Sequence, residues 1–363
     1  MANFIITSSY GETSLWHYSI SLANELASRH HNVIVVVTGQ RHDIESPSSN
    51  PAVLTWPSTK PKKWKDFVFL HKLIKKQKTD CIIGFVGGIN VSMITGWFNR
   101  VPSRVAYYQI ISKAVERDTE LSHLKITCQR SRKRLVYLLT SKIIAVSQAC
   151  ALDVIETYKV LLRKVKVLPI LIDDPGMTAD LDQREEKVVC VARQDHNKGQ
   201  DILINAIPAI LEKNPDLKIL FIGEGPARQD YEALANSLGV SKNTKFTGGL
   251  PHSDTLAQMA SASALVLPTR DDALPLVIIE ALSVGTPVIA TRVGGIPEII
   301  NDGETGILVT PENSPEMAEK INLVIQSADL RECLSHSGKQ LFIDHFSLKN
   351  IDQHADYFEV LLN

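Results

Sequence analysis

The sequence lacks the features that mark membrane-embedded, disulfide-rich or zinc-binding chains. Among its 363 residues, no apolar run reaches the roughly 20 residues that a membrane-spanning helix needs. Its five cysteines are scattered and form no C-x-x-C pair, which argues against a disulfide framework or a zinc site and indicates a reducing cytoplasm. The first residues, MANFIITSSYG, contain no charged segment and no cleavage-like site, so we expect a strand there rather than a signal peptide.

Charge is divided unevenly along the chain, although the formal net charge is only −1. Residues 1–170 contain 24 Lys and Arg against 11 Asp and Glu, whereas the remainder contains 15 against 29. The overall composition, 44% hydrophobic and 22% charged, is that of an ordinary globular protein. Two halves of opposite sign predict two domains with different partners.

Both halves alternate apolar segments with segments of helical periodicity. In the first half, uninterrupted apolar stretches predict parallel strands that are covered on both faces, at 4–9, 32–38, 81–87, 104–110 and 142–147. A polar segment at 171–186 predicts a linker. The alternation of strand-like and helix-like segments then resumes, with predicted strands at 187–192, 218–223, 244–248, 264–268, 287–291 and 306–310. The sequence therefore predicts an α/β protein with two doubly wound, Rossmann-like domains facing a cleft.

The segment from Pro268 to Gly285 is the most informative, because Asp272 and Glu280 lie eight residues apart in it. Pro275 suits the first turn of a helix and Gly285 suits its end. Glu280 is surrounded by apolar residues, which is costly for a carboxylate unless it faces a partner. The alternative is an amphipathic helix that exposes Glu280 and uses Asp271 or Asp272 as its N-cap.

Two further segments suit ligand binding. Arg193 and Lys198 lie between a predicted strand and a helix, where a planar fork and a point charge would together suit a diphosphate. Gly294-Gly295 would let the backbone approach a ligand closely before Pro297 opens a short helix. The alternatives are two solvated charges in a loop and a plain strand–turn–helix connection.

Six motifs occur in the order and spacing of the retaining GT4-type glycosyltransferases, which the sequence resembles over about residues 187–345. These motifs are Arg193…Lys198-Gly199, Gly223-Glu224-Gly225-Pro226, Phe246-Thr247-Gly248, Asp272…Glu280, Gly285-Thr286-Pro287-Val288 and Gly294-Gly295-Ile296-Pro297-Glu298. The resemblance implies a GT-B fold, with an acceptor-side domain at 1–172 and a nucleotide-sugar domain at 173–345. It also implies a terminal helix at 346–363 that crosses back to the first domain.

The same resemblance assigns roles to individual residues. It implies that Arg193 and Lys198 bind the donor diphosphate, that Glu280 binds the ribose hydroxyls, and that Gly248 to His252 lie near the nucleobase. No metal or other cofactor is expected, because the two cations supply the charge that stabilises the departing diphosphate. Asp272 and the backbone of Leu274, Pro275 and Leu276 would contact the transferred sugar and the phosphate.

The sequence departs from the family pattern at three positions. The first acidic position, usually Glu in the family, is Asp272, and the first loop has Gly11 as its only glycine in Ser8-Ser9-Tyr10-Gly11, on the acceptor or sugar side. The histidine that the family often places near Tyr107-Tyr108-Gln109 is absent. Gln109 could replace it as a neutral hydrogen-bonding catalytic residue, or it could be structural.

The positive charge of the first half is concentrated at Lys60–Lys78, which Trp56 and Trp64 flank, and at Arg130–Arg134. Basic residues interleaved with Trp fit an anionic membrane surface. The alternatives are an ordinary solvated helix face and a nucleic-acid patch, and no signature of a nucleic-acid-binding fold accompanies these charges.

Together these observations predict a retaining, metal-independent hexosyltransferase. Its donor would be a nucleoside-diphosphate sugar, and its acceptor a cell-surface polysaccharide, such as lipopolysaccharide or capsule, or a lipid-linked glycan. It would act in the cytoplasm, on the inner face of the membrane. One alternative is a catalytically silent subunit of the same fold that binds a sugar nucleotide or a protein partner. A sugar-nucleotide epimerase would need a further acid or histidine pair, which the sequence does not reveal.

Overall fold

The computed structural model describes residues 1–11, 14–38, 46, 48–112, 122–177 and 185–362. The described chain divides into two compact units, and each contains one parallel β-sheet. The first unit comprises the described residues up to Asp173 and those from Leu348 onward, and the second comprises those from Asp174 to Ser347. Part of the predicted linker, residues 178–184, lies outside the described residues.

The first unit is built on a seven-stranded sheet. Its strands are β1 (Asn3–Ser9), β2 (Asn32–Thr38), β3 (Ala52–Thr55), β4 (Cys81–Gly84), β5 (Ser103–Tyr108), β6 (Lys142–Ala145) and β7 (Val165–Val167). They are all parallel, in the order β3-β2-β1-β4-β5-β6-β7. The helices are α1 (Ser14–Ser28), α2 (Trp64–Gln77), α3 (Ile89–Phe98), α4 (His123–Leu138) and α5 (Gln148–Tyr158), with α13 (Ile351–Val360) from the end of the chain.

Burial explains why these strands are uniformly apolar. Five successive residues of β1 and of β2 are buried, so both faces of the sheet are covered. Helices α2 and α3 share one core cluster with the strands, to which Leu70, Leu73 and Met93 contribute. The terminal helix α13 packs on α1, where Arg29 contacts Asp356 and Glu359 at the surface.

The second unit has a six-stranded parallel sheet. Its strands are β8 (Glu185–Val191), β9 (Lys218–Ile222), β10 (Thr244–Gly248), β11 (Ala262–Leu267), β12 (Val288–Thr291) and β13 (Ile307–Val309), in the order β10-β9-β8-β11-β12-β13. The helices are α6 (Gln200–Leu211), α7 (Arg228–Ser237), α8 (His252–Ala260), α9 (Leu276–Ser283), α10 (Ile296–Ile299), α11 (Ser314–Gln326) and α12 (Ala328–His345). Leu203, Ile207, Phe221 and Ile321 lie in its main core cluster.

Two parallel sheets covered by helices confirm the predicted α/β class, and most predicted strands lie within a few residues of the observed ones. Strands β3 and β7 were not predicted, because they are short and partly exposed and therefore give only a weak apolar signal. Trp56, expected beside the surface lysines, is instead buried in the core, with its ring 5.9 Å from that of Phe69. Within the described residues, no helix is long and apolar enough to cross a bilayer.

Candidate functional site

The candidate site lies where the strand order of the second sheet reverses. Strand β8 pairs with β9 on one side and with β11 on the other, so the connections that leave β8 and β11 diverge at their C-terminal ends. Ligands of open α/β sheets bind in the crevice that such a divergence creates. The connection after β8 carries Arg193 and Lys198, and the connection after β11 carries Asp272.

Lys198 and Asp272 form the central contact of this site. The Lys198 Nζ lies 2.7 Å from Asp272 Oδ2, and their side chains are 25% and 16% exposed. An ion pair with this limited solvent access interacts more strongly than a surface pair, because less water screens it. The structure thus joins two residues that are 74 positions apart in sequence and were predicted to act on one donor.

Buried polar side chains hold the two connections together. Asn197 donates from Nδ2 to the Asp271 carbonyl at 3.1 Å, and the Asn197 carbonyl accepts from Thr269 Oγ1 at 3.0 Å and from Arg270 N at 2.8 Å. Asn197 is 7% exposed and Thr269 is fully buried. The geometry of Lys198 and Asp272 therefore depends on hydrogen bonds made by their neighbours.

Gly199 allows the closest approach between these connections. Its φ is +67°, and a Cβ atom there would lie 2.1 Å from the Pro268 carbonyl oxygen. Only glycine fits, because a side chain would both disfavour the backbone angle and collide with the next connection.

A buried arginine ties the same region to α6. Arg270 lies 2.7 Å from Asp201 and 2.5 Å from Glu312, with its own side chain only 9% exposed. The hydrogen bond to Asp201 raises the pKa of Arg270. Burial alone would raise the pKa of Asp201, but the hydrogen bond and charge of Arg270 outweigh it, and that pKa is lowered. The two groups are therefore both charged at neutral pH.

The connection after β12 also contacts the segment that carries Asp272. Gly295 N donates to the Asp272 carbonyl at 2.9 Å. Gly294 has φ +52°, and a Cβ atom there would lie 1.9 Å from the same oxygen. The glycine pair thus lies directly against the backbone that carries Asp272, while its predicted approach to a ligand stays a prediction. The short helix α10 follows, with Pro297 in its first turn.

Arg193 is the exposed cation of the site. Its side chain is 69% exposed, and Nε lies 3.3 Å from Asp195 Oδ2. Such a surface ion pair adds little to stability, so the guanidinium can change partners at small cost. The Arg193 carbonyl accepts a hydrogen bond from Gln200 Nε2 at 3.0 Å, which holds the backbone that carries this exposed charge.

The segment predicted to lie near the nucleobase follows β10, two strands from β8. With strands about 4.8 Å apart, Gly248 is about 10 Å along the sheet edge from the end of β8. Glu224 Oε1 accepts from Gly249 N at 3.3 Å, and Gly223 N donates to the Gly248 carbonyl at 2.9 Å. His252 is the exposed first residue of α8.

Helix α9 begins later than the N-cap alternative requires. Its first residue is Leu276 and its N-cap is Pro275, so neither Asp271 nor Asp272 caps it. Leu274, Pro275 and Leu276 therefore lie at the helix N-terminus, where backbone N–H groups and the helix dipole favour an anion. Glu280 is partly buried in the second turn rather than fully exposed.

Two of the predicted site residues, Gly11 and Gln109, belong to the first unit. Gly11 follows β1 and Gln109 follows β5, which places both beyond C-terminal strand ends of the first sheet. Gln109 is partly buried, and its Nε2 atom lies buried without a hydrogen-bond partner among the described residues.

Two observations concern metal binding. No group of three or more His, Cys, Asp or Glu side chains that could hold a metal ion occurs in the described part of the chain. Asp180 and Asp182, an Asp-x-Asp pair in the linker, lie outside the described residues.

Sequence reasoning did not single out Asn197, Thr269 or Arg270. Each stands in a polar segment directly after an apolar strand, which was the available signal. Their importance is visible only in the structure, because each of them makes at least one hydrogen bond to a segment about 70 residues away in sequence.

Comparison with known proteins identifies the class of this second unit. Residues 178–341 match the family model of glycosyl transferases group 1. The chain is similar to the GDP-mannose-dependent alpha-(1-6)-phosphatidylinositol monomannoside mannosyltransferase of Mycolicibacterium smegmatis, with 37% identity over 166 residues, 44% of each chain. It is also similar to the alpha-D-kanosaminyltransferase of Streptomyces kanamyceticus, with 31% identity over 161 residues, 44% of this chain and 42% of that one. The chain thus matches less than half the length of these curated relatives.

Solved structures extend the fold likeness to nearly the whole chain. The sucrose-phosphate synthase of Thermosynechococcus elongatus matches with a TM-score of 0.80 and 18% identity over 99% of both chains. Anabaena HepE in complex with UDP and glucose matches with a TM-score of 0.77 and 20% identity, over 99% of this chain and 100% of that one. Residues 178–341 therefore resemble the glycosyl transferases group 1 in sequence, and the chain as a whole has the GT-B fold.

Proposed function

We propose that the protein transfers a sugar from a nucleoside-diphosphate sugar to a glycan or lipid-linked acceptor. The observation that carries this proposal is the Lys198–Asp272 pair at the switch point of the second sheet, 2.7 Å apart, within the segment that matches the family. A diphosphate seated at the N-terminus of α9 would meet Lys198, and the exposed Arg193 would close over it.

The chemistry follows from how charge moves during transfer. As the bond from the anomeric carbon to the diphosphate breaks, negative charge builds on the phosphate oxygens, and Lys198 and Arg193 stabilise it. In the retaining reaction proposed here, the departing phosphate oxygen takes the proton of the incoming hydroxyl. Asp272 orients the sugar, Glu280 accepts hydrogen bonds from the ribose hydroxyls, and no metal ion is required.

A lysine substitution tests the donor site. Lys198→Met keeps an unbranched side chain that is one atom shorter and removes its charge, and it should weaken UDP, GDP or ADP binding roughly 10- to 150-fold in calorimetry. Lys213→Met is the matched control, because Lys213 is exposed beyond the far end of α6. Equal nucleotide affinity of the two variants would contradict the assignment of Lys198.

Activity assays separate the proposed enzyme from a silent subunit. A panel of UDP-, GDP- and ADP-sugars should reveal hydrolysis or transfer of one sugar, with the anomeric configuration retained in the product and the rate unchanged by a chelator. Nucleotide binding without hydrolysis or transfer would support the silent subunit. In that case the departures at Asp272 and Gln109 would be the first positions to restore to the family pattern.

We also propose that the protein works in the cytoplasm, on an anionic membrane surface. Its support is the row of lysines from Lys60 to Lys78, all eight of which are exposed. Reversing the cluster at Lys60, Lys62, Lys63 and Lys65 to Glu should abolish sedimentation with anionic vesicles and leave nucleotide affinity unchanged. Equal sedimentation with neutral and anionic vesicles would remove the electrostatic argument.

A further inference from the structure

Helices α2 and α3 leave a groove of about 380 Å³ on the surface of the first unit. Its lining is apolar over almost its whole extent, and Trp64, Phe67 and Val68 of α2 face Ile94 and Phe98 of α3. Both helices cover the same face of the first sheet with their other sides. The groove therefore lies on the outer side of this helix pair, and Phe67 connects it to the core below.

The aromatic residues at this groove are unusually exposed. Trp64 is 81% exposed, Phe98 is 73% exposed, and the neighbouring Trp97 is 54% exposed. Large apolar side chains gathered in one place on a surface, rather than scattered singly, mark a site of interaction.

The charges around the groove are of one sign. Eight lysines occur between Lys60 and Lys78, all exposed, and the only acidic residue in that range is Asp66. Asp66 is fully buried and accepts hydrogen bonds from the backbone N–H groups of Lys62 and Lys63, at 2.9 and 2.8 Å. No exposed carboxylate of α2 therefore offsets the lysines, and one of them, the exposed Lys72, is itself a lining residue of the groove.

We propose that this groove holds a hydrocarbon chain of an anionic membrane lipid, while the surrounding lysines bind the phosphates of the headgroups. A lipid of this kind is complementary to both parts of the surface, because its hydrocarbon chain fills the apolar groove and its headgroup contacts the lysines. The inference rests on the membrane location in the proposed function and is independent of the donor. It differs from a purely electrostatic attachment, because each methylene group buried in the groove strengthens binding about fourfold.

Tryptophan fluorescence with brominated lipids tests the groove directly. The probe is a vesicle of phosphatidylcholine and phosphatidylglycerol whose acyl chains carry bromine, which quenches tryptophan only at close range. We expect quenching in the unmodified protein and a clear decrease in Trp64→Phe, since Trp64 lines the groove and only the neighbouring Trp97 is also exposed beside it. Phe98→Glu should lower partitioning into unbrominated vesicles by roughly tenfold or more, because burial of the ring is lost.

A matched control isolates the groove from general surface charge. Leu162→Glu changes the net charge by the same amount at a side chain of equal exposure, 74% against 73% for Phe98, just before the edge strand β7. It should bind vesicles and show quenching like the unmodified protein. Both variants replace exposed residues, so both should fold, and nucleotide calorimetry on each shows that the second unit is intact.

Three outcomes would overturn the proposal. Equal partitioning of Phe98→Glu and Leu162→Glu would show that the groove contributes nothing. Vesicle binding without bromine quenching would show an attachment by charge alone. Concentration-dependent dimerisation that Phe98→Glu abolishes would show that a second copy of the chain covers the groove. None of these outcomes depends on sugar transfer, so the donor proposal would stand or fall by its own assay.

Discussion

Replacement of Gly199 by alanine should impair the donor site as well as lower the stability of the fold. The new Cβ would lie 2.1 Å from the Pro268 carbonyl oxygen, where a separation of at least 3.0 Å is needed. The connections after β8 and β11 must therefore part by about 1 Å. The hydrogen bonds from Thr269 and Arg270 to the Asn197 carbonyl, at 3.0 and 2.8 Å, span this gap and would lengthen.

The magnitude follows from two separate costs. A non-glycine residue at positive φ costs roughly 1–2 kcal/mol, and stretching the bonds at Asn197 adds about 1–2 kcal/mol more. Lys198 is the adjacent residue, so its Nζ should move from the 2.7 Å contact with Asp272. A displacement of about 1 Å at a positioning group can lower a catalysed rate about 100-fold.

Gly239→Ala provides the matched control. Gly239 has nearly the same φ, +72° against +67°, and a Cβ atom there meets nothing within 4 Å. It should lower stability by about 1–2 kcal/mol through the backbone angle alone and leave nucleotide binding and sugar-donor hydrolysis unchanged. Chemical denaturation gives the first quantity, and calorimetry and initial rates give the others. If Gly199→Ala binds nucleotide and turns over donor as Gly239→Ala does, the contact with Pro268 does not position Lys198.

Three further predictions concern other parts of the chain. Glu280→Gln should weaken nucleotide binding in calorimetry without changing the melting temperature; an unchanged affinity would make Glu280 a surface residue. Arg270→Ala leaves the half-buried Asp201 without its cation and should lower the free energy of unfolding at pH 7 by about 3 kcal/mol. Because Arg270 lowers the pKa of Asp201, that stability is present above the unfolded pKa and is lost as the pH falls below it, so denaturation of the variant and the parent should converge in acid. Burial lowers the pKa of His354 to about 4, so the folded first unit binds fewer protons than the unfolded chain below pH 6.5. This histidine should therefore lower the free energy of unfolding by about 2–3 kcal/mol between pH 6.5 and 4. His354→Gln should remove that part of the pH dependence. If the variant and the parent have the same pH profile of stability, His354 does not titrate on unfolding.

The sequence determined the α/β class and the positions of most strands. A strand covered on both faces must be apolar at every position, and runs such as residues 32–38 carry that signal locally. The motifs that resemble the glycosyltransferase family were equally local, because each spans at most nine residues of sequence. The sequence predicted that Gly294-Gly295 approaches a ligand, but it did not reveal the contact of this pair with the Asp272 carbonyl.

Only the tertiary structure decided which of these connections meet. The pairing of Lys198 with Asp272, the bonds of Asn197 and the contact of Gly199 with Pro268 each join the ends of two strands that are neighbours in the sheet but about 70 residues apart in sequence. No local pattern encodes such contacts. Tertiary packing also explains why the two tryptophans beside the lysine cluster differ in burial. Trp56 follows a short strand into the core and Trp64 begins a helix at the surface, and the packing of α2 against the first sheet makes that difference.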